Sequence, residues 1–66
     1  MDMNYLEEKM DESGLKREYI ATAIGLSRHG LHDKIRNPDR WKVVEMTKLV
    51  SVLKLTKADC RRIFNL

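Results

Sequence analysis

A chain of 66 residues with a net charge of +3 and 35% charged residues has room for one small domain, which buries only about 60% of its unfolded surface. A single cysteine, Cys60, excludes an internal disulfide and any cysteine-based zinc cluster, and no apolar run approaches the roughly 18 residues of a membrane span. The leading Met-Asp-Met-Asn lacks the basic and apolar blocks of a secretory signal, so a reducing, cytoplasmic location is expected.

Helical periodicity recurs along the chain, and no segment alternates with period two for long enough to make a strand. Helix 1 is predicted over 3–12, with Tyr5, Leu6 and Met10 facing inward and Ser13-Gly14 as its stop. Helix 2 is predicted over 16–24 and helix 3 over 28–36. Asn37-Pro38 ends helix 3, because proline disfavours helix in the residue before it. Residues 37–42 read as a loop. Helix 4 is predicted over 43–53, with Met46, Leu49, Val50 and Leu53 at helical spacing. Thr56-Lys-Ala-Asp59 has the form of a capping box with Asp at its third position, opening helix 5 over 57–64. Leu55 before that cap and Cys60 after it can form the matching hydrophobic staple, and Ile63 and Phe64 close the core. The expected fold class is therefore all-α, with five helices in one domain over residues 1–66.

Residues 16–36 carry the most information. Ala21 and Gly25 stand four apart, followed at once by Leu26 and Ser27. Gly25 can close the first helix at positive φ without a Cβ penalty. Leu26 can pack back under the turn. Ser27 can accept from free N–H groups of the next helix, a contact worth about 1 kcal/mol. Ala21 is small where two helices cross closely. Ile20 and Ile24, then Leu31 and Ile35, supply the inner faces at i, i+4 spacing. This is the sequence form of a helix-turn-helix, whose second helix enters the DNA major groove.

Charge is unevenly placed. Residues 1–12 hold Asp2, Glu7, Glu8, Asp11 and Glu12 against Lys9, a net of −4, leaving +7 on the remainder. Residues 27–42 hold Arg28, Lys34, Arg36, Arg40 and Lys42 against Asp33 and Asp39, a net of +3. A phosphate-binding surface has this footprint, and so does a small helical domain that uses charge only for solubility.

The segment Tyr-Ile-Ala-Thr-Ala-Ile-Gly-Leu-Ser-Arg-His-Gly-Leu-His-Asp-Lys-Ile-Arg-Asn resembles the Cro/CI-type (XRE-like) helix-turn-helix family. The tail from Trp41 through Leu53-Lys-Leu-Thr-Lys-Ala-Asp to Ile63-Phe64 is similar to small repressor-like proteins of prophages. The resemblance spans about residues 4–64. It implies a compact five-helix, lambda-repressor-like domain that binds operator double-stranded DNA, with no cofactor, as a homodimer formed before or on the DNA. The base-reading face would be Ser27, Arg28, His29, His32 and Asp33. The phosphate contacts would be Lys16 and Arg17 at the start of helix 2, Arg36, and Asn37, Arg40, Trp41 and Lys42 in the exit loop. Three residues depart from the family pattern. Gly30 stands where Ser or Thr is usual, and it either admits a thymine methyl or sugar closely or marks a short, frayed helix. Lys16 replaces the usual helix-2 cap. Asp33 puts an acid on the groove face, where it can accept from cytosine N4 or pair with a neighbouring Arg.

Alternatives stand beside these roles. Trp41 is either a core anchor between helices 3 and 4 or a phosphate donor through its indole N–H. Ile63, Phe64 and Leu66 are candidates for a dimer patch, while Phe64 can equally close the monomer core. His29 and His32 lack further ligands for a metal and a nucleophile for catalysis. The whole chain can also be read as a helix-turn-helix module that binds a regulatory protein partner, an antirepressor or antitoxin, with little affinity for DNA.

Overall fold

The computed structural model describes residues 1–65. Five helices follow in chain order: α1 (Met3–Ser13), α2 (Arg17–Ala23), α3 (Arg28–Arg36), α4 (Val43–Leu53) and α5 (Lys57–Phe64), with a 3-10 turn at Pro38–Arg40 between α3 and α4. No strand occurs among the described residues. The described residues are all-helical in their regular structure, and among them no helix is long and apolar enough to cross a membrane. α2 packs against both α3 and α4, and α1 packs against α4 and α5.

Each helix starts and stops for a local reason. Asp2 caps α1 by accepting from the Tyr5 N–H at 3.0 Å, which holds its carboxyl below the usual carboxylate range. Lys16 has no side-chain bond to offer α2, and that helix runs 17–23 rather than 16–24. At the α2–α3 turn, Gly25 sits at φ +83°. The Leu26 N–H returns to the Ala21 carbonyl at 2.8 Å and the Gly25 N–H to that of Thr22 at 3.1 Å. This paired closure satisfies carbonyls that the helix end leaves free. Two residues later the Ser27 hydroxyl accepts from the Gly30 N–H at 3.0 Å and opens α3. At α4 the Glu45 carboxylate accepts from the Lys42 N–H at 3.0 Å. At α5 both halves of the box form: Thr56 N–H to Asp59 at 3.0 Å and Asp59 N–H to Thr56 Oγ1 at 3.1 Å.

The core gathers Leu6 and Met10 of α1, Ile20 and Ala21 of α2 with Ile24 at its end, Leu31 of α3, Trp41, Leu49 and Leu53 of α4, Leu55, and Ile63 and Phe64 of α5. Two expectations are corrected by it. Ile63 and Phe64 are buried, so they close the monomer and offer no dimer patch; Leu66, the third residue of that group, lies outside the described residues. Trp41 is only 8% exposed and its Nε1 is buried without a hydrogen-bond partner, so it cannot reach a phosphate. The indole is a core anchor, and its apolar area outweighs one unmet N–H.

Two polar networks tie the helices together from outside this core. The Tyr5 hydroxyl donates to Asp59 at 2.6 Å, Lys9 lies 3.7 Å from the same carboxylate, and the Arg62 guanidinium stacks 4.1 Å from the Tyr5 ring centre. The Tyr5 hydroxyl, the Thr56 N–H and Lys9 together hold the Asp59 carboxyl at about 2. On the other side of the molecule's sequence, Lys34 of α3 bonds Glu45 of α4 at 3.0 Å and the Arg40 carbonyl at 2.8 Å.

Candidate nucleic-acid interface

α3 is nine residues long, about 13 Å at helical rise, comparable to the roughly 12 Å width of a B-DNA major groove. Leu31 anchors it, buried at 1% exposure, and Ile35 packs partly against the same core. That anchoring fixes which side chains turn outward. Ser27, Arg28, His29, His32 and Arg36 are exposed, and Asp33 is half-buried. The side chains of Arg28 and His29 are 70% and 85% exposed. Neither is sealed against acidic α1.

The face is partly neutralised by its own acids. Arg28 lies 3.9 Å from Glu18, and His29 lies 4.0 Å from Asp33. Arg17 bonds Asp11 at 3.0 Å. The two arginine pairs sit at the surface, where water and salt screen them and a competing anion can displace the carboxylate at small cost. Lys16, Arg36, Arg40 and Lys42 are exposed and free of ion pairs among the described residues. Asn37 is exposed and donates its side-chain amide to the Asp33 carbonyl at 3.2 Å. Lys16 precedes α2 and Arg17 begins it, while Arg36 ends α3 and Asn37, Arg40 and Lys42 follow it. Trp41 alone of the expected phosphate contacts is withdrawn into the core.

Gly30 has a structural explanation. A Cβ there would lie 3.3 Å from Ser27 Oγ and 3.6 Å from Leu26 Cβ. It would point back at the turn, not out into a groove. α3 also runs its full 28–36 span, so the glycine does not shorten the helix.

One contributor to the shape of this face was hidden in the sequence. Lys34 counts there as another cation of the basic segment. In the fold its side chain is 14% exposed against Glu45 at 8%, and it is spent on holding α3, the Arg40 carbonyl and α4 together. Burial alone pushes the Glu45 carboxyl up, but the Lys42 N–H and Lys34 outweigh it, and its pKa lies below the usual range. This clip spans the loop that carries Asn37, Arg40 and Lys42. Half of it was readable, since Glu45 three residues after Lys42 has the spacing of a reciprocal cap; its pairing with Lys34 was not.

The assembled groups are mostly donors and cations (guanidiniums, ammoniums, imidazoles, one serine hydroxyl and one amide), with the Asp33 carboxylate as an acceptor among them. They match phosphate oxygens and the acceptor edges of bases. Among the described residues, no three His, Cys, Asp or Glu side chains group as a metal-binding set. In comparisons with protein-family models, curated proteins and solved structures, nothing matches this chain.

Proposed function

We propose that this chain is a sequence-specific double-stranded DNA-binding regulator of the compact Cro/CI-like helix-turn-helix type, with α3 as its recognition helix. The observation that carries the reading is the combination of an inward anchor at Leu31 and an outward row of Arg28, His29, His32 and Arg36 on one short helix. Arg28, in the first turn, suits the O6 and N7 acceptors of guanine, and Asp33 suits the amino group of cytosine. Lys16, Arg17, Arg36, Arg40 and Lys42 supply the phosphate contacts that set register. The function needs no cofactor and involves no bond-making; occupancy of a promoter is the regulatory act.

A homodimer on a partly palindromic operator belongs to this reading, because one short helix reads too few base pairs for useful affinity. Its contact has to lie away from Ile63 and Phe64. The large apolar side chains left on the surface include Tyr19, Val43 at 75% and Val44 at 56% exposure.

Those same exposed valines favour a second reading, in which the fold binds a regulatory protein and has little DNA affinity. Retardation of a mixed-sequence duplex at about 50 mM salt, where phosphate contacts are strong, separates the two. DNA binding gives retardation that high salt abolishes and that Arg28→Ala weakens. The interaction module gives none at any salt concentration.

A further inference from the structure

Between α1, α2 and α3 lies a cleft of about 220 Å³, lined by Glu7, Arg17, Arg28, Leu31, His32 and Ile35. Its apolar side is formed by buried Leu31 and half-buried Ile35. Its polar groups carry both signs and come from three helices. Glu7 enters from α1, Arg17 from α2, and Arg28 and His32 from one side of α3. The carboxylates that neutralise the arginines, Asp11 and Glu18, line the adjoining depression rather than this cleft. Glu7 is half-buried, yet its carboxylate forms no ion pair among the described residues, although two guanidiniums line the same cleft.

These features narrow the occupant. The volume is below the roughly 300 Å³ at which pockets begin to enclose drug-sized ligands, so a single small molecule is the limit. Two guanidiniums suit a carboxylate, which each can grip through a planar fork. An unpaired carboxylate suits an ammonium. Half-buried Ile35, beside a Leu31 that is itself only 1% exposed, suits an aliphatic side chain. An anion alone would face the repulsion of Glu7, and an amine alone would leave the arginines on Asp11 and Glu18, surface pairs that an α-carboxylate can exchange with at small cost. We propose that this cleft binds a free α-amino acid with an apolar side chain, its carboxylate between Arg17 and Arg28, its ammonium on Glu7 and its side chain against Leu31 and Ile35. Binding itself is independent of any role in DNA recognition. Its consequence for DNA rests on the regulator reading: Arg28 and His32 are shared, so the amino acid and a duplex weaken each other's binding by the same factor.

The test is a titration of the isotope-labelled full chain with L-leucine, without DNA, followed by amide chemical shifts. Saturable shifts are expected at Glu7, Arg17, Leu31 and His32. 4-Methylpentanoate, which lacks the ammonium, and isopentylamine, which lacks the carboxylate, should each bind about tenfold or more weaker, because each loses a charge-assisted bond. Glu7→Gln should bring L-leucine down to the level of 4-methylpentanoate while leaving the helical circular dichroism unchanged. The proposal is overturned if L-leucine gives no saturable shift, if 4-methylpentanoate binds as tightly, or if inorganic phosphate moves these amides and L-leucine does not. A separate duplex titration with and without L-leucine keeps the two readings apart. L-Leucine binding by a chain that ignores DNA would overturn the regulator reading and leave the amino-acid site standing.

Discussion

Gly30 and Lys54 mark two places where the backbone and the side chain disagree, and both can be measured. Gly30 is the third residue of α3, where alanine would gain about 1 kcal/mol of helix propensity. The added Cβ presses on the capping Ser27 hydroxyl at 3.3 Å and takes part of that gain back. Gly30→Ala should therefore stabilise the fold by only a few tenths of a kcal/mol, read as a slightly higher urea midpoint at unchanged slope. Lys54 closes α4 at φ +52°, with the Leu55 N–H returning to the Val50 carbonyl at 3.0 Å. A non-glycine residue is strained there, and Lys54→Gly should stabilise the fold by about 1 kcal/mol. On the proposed DNA face the residues should separate by role. Arg28→Ala should cost about 1–3 kcal/mol on the preferred duplex and relax its specificity, whereas Lys42→Ala should weaken all duplexes alike. Equal losses on preferred and random DNA for Arg28, His29 and His32 would remove the base-reading assignment. The exposure of His29 and Arg36 was foreseeable from the i, i+4 spacing of Leu31 and Ile35, which turns them away from the core; that of Arg28, three before Leu31 and seven before Ile35 and so on the same face, was not. The burial of Trp41 was not, because a tryptophan in a short loop can turn either way until neighbouring helices are placed.

Helix limits were largely legible because the signals are local. α3, α4 and α5 occupy 28–36, 43–53 and 57–64, as the serine cap, the Asn37-Pro38 stop and the Thr56–Asp59 box require. α2 fell short at both ends, where Lys16 gives no cap and Ile24 already belongs to the turn. What joins the helices was not legible, since Tyr5 with Asp59 and Lys34 with Glu45 are contacts between separate elements. Their energetics follow from burial. Lys34→Met leaves the Glu45 charge with one fewer partner in a site with little water, and should destabilise the fold by about 1–3 kcal/mol by thermal or urea melting. Asp59 contributes to the acid limit, with Asp2 and Glu45. Its carboxyl is depressed to about 2 in the fold against about 3.9 when unfolded. The stability it contributes is complete above the unfolded value and is lost as pH falls from about 4 through 2. Asp59→Asn should lower stability at neutral pH and flatten the acid limb of a pH–stability curve; an unchanged acid limb would contradict the network.

At the scale of the whole molecule, charge and shape act together. The acidic residues concentrate toward α1, and the cations of 16–42 lie on and beside α3. If Lys16, Arg17, Arg36, Arg40 and Lys42 each engage a phosphate, log K for duplex binding should fall against log salt with a slope of about −4 to −5 per chain. Lys42→Ala should reduce that slope by about 1. Only charge asymmetry could be read from the sequence at this scale, because the surface that carries a partner is fixed by which apolar residues the core consumes. Ile63 and Phe64 were consumed, and Val43 and Val44 were left. The most direct test of the central claim, that α3 reads bases from a duplex groove, is selection of bound sites from a random duplex pool at about 50 mM salt. A common motif enriched for G and C at fixed positions, repeated at a spacing near 10–10.5 base pairs, is the predicted result. Retention of no duplex, or retention without any enriched motif, would contradict it.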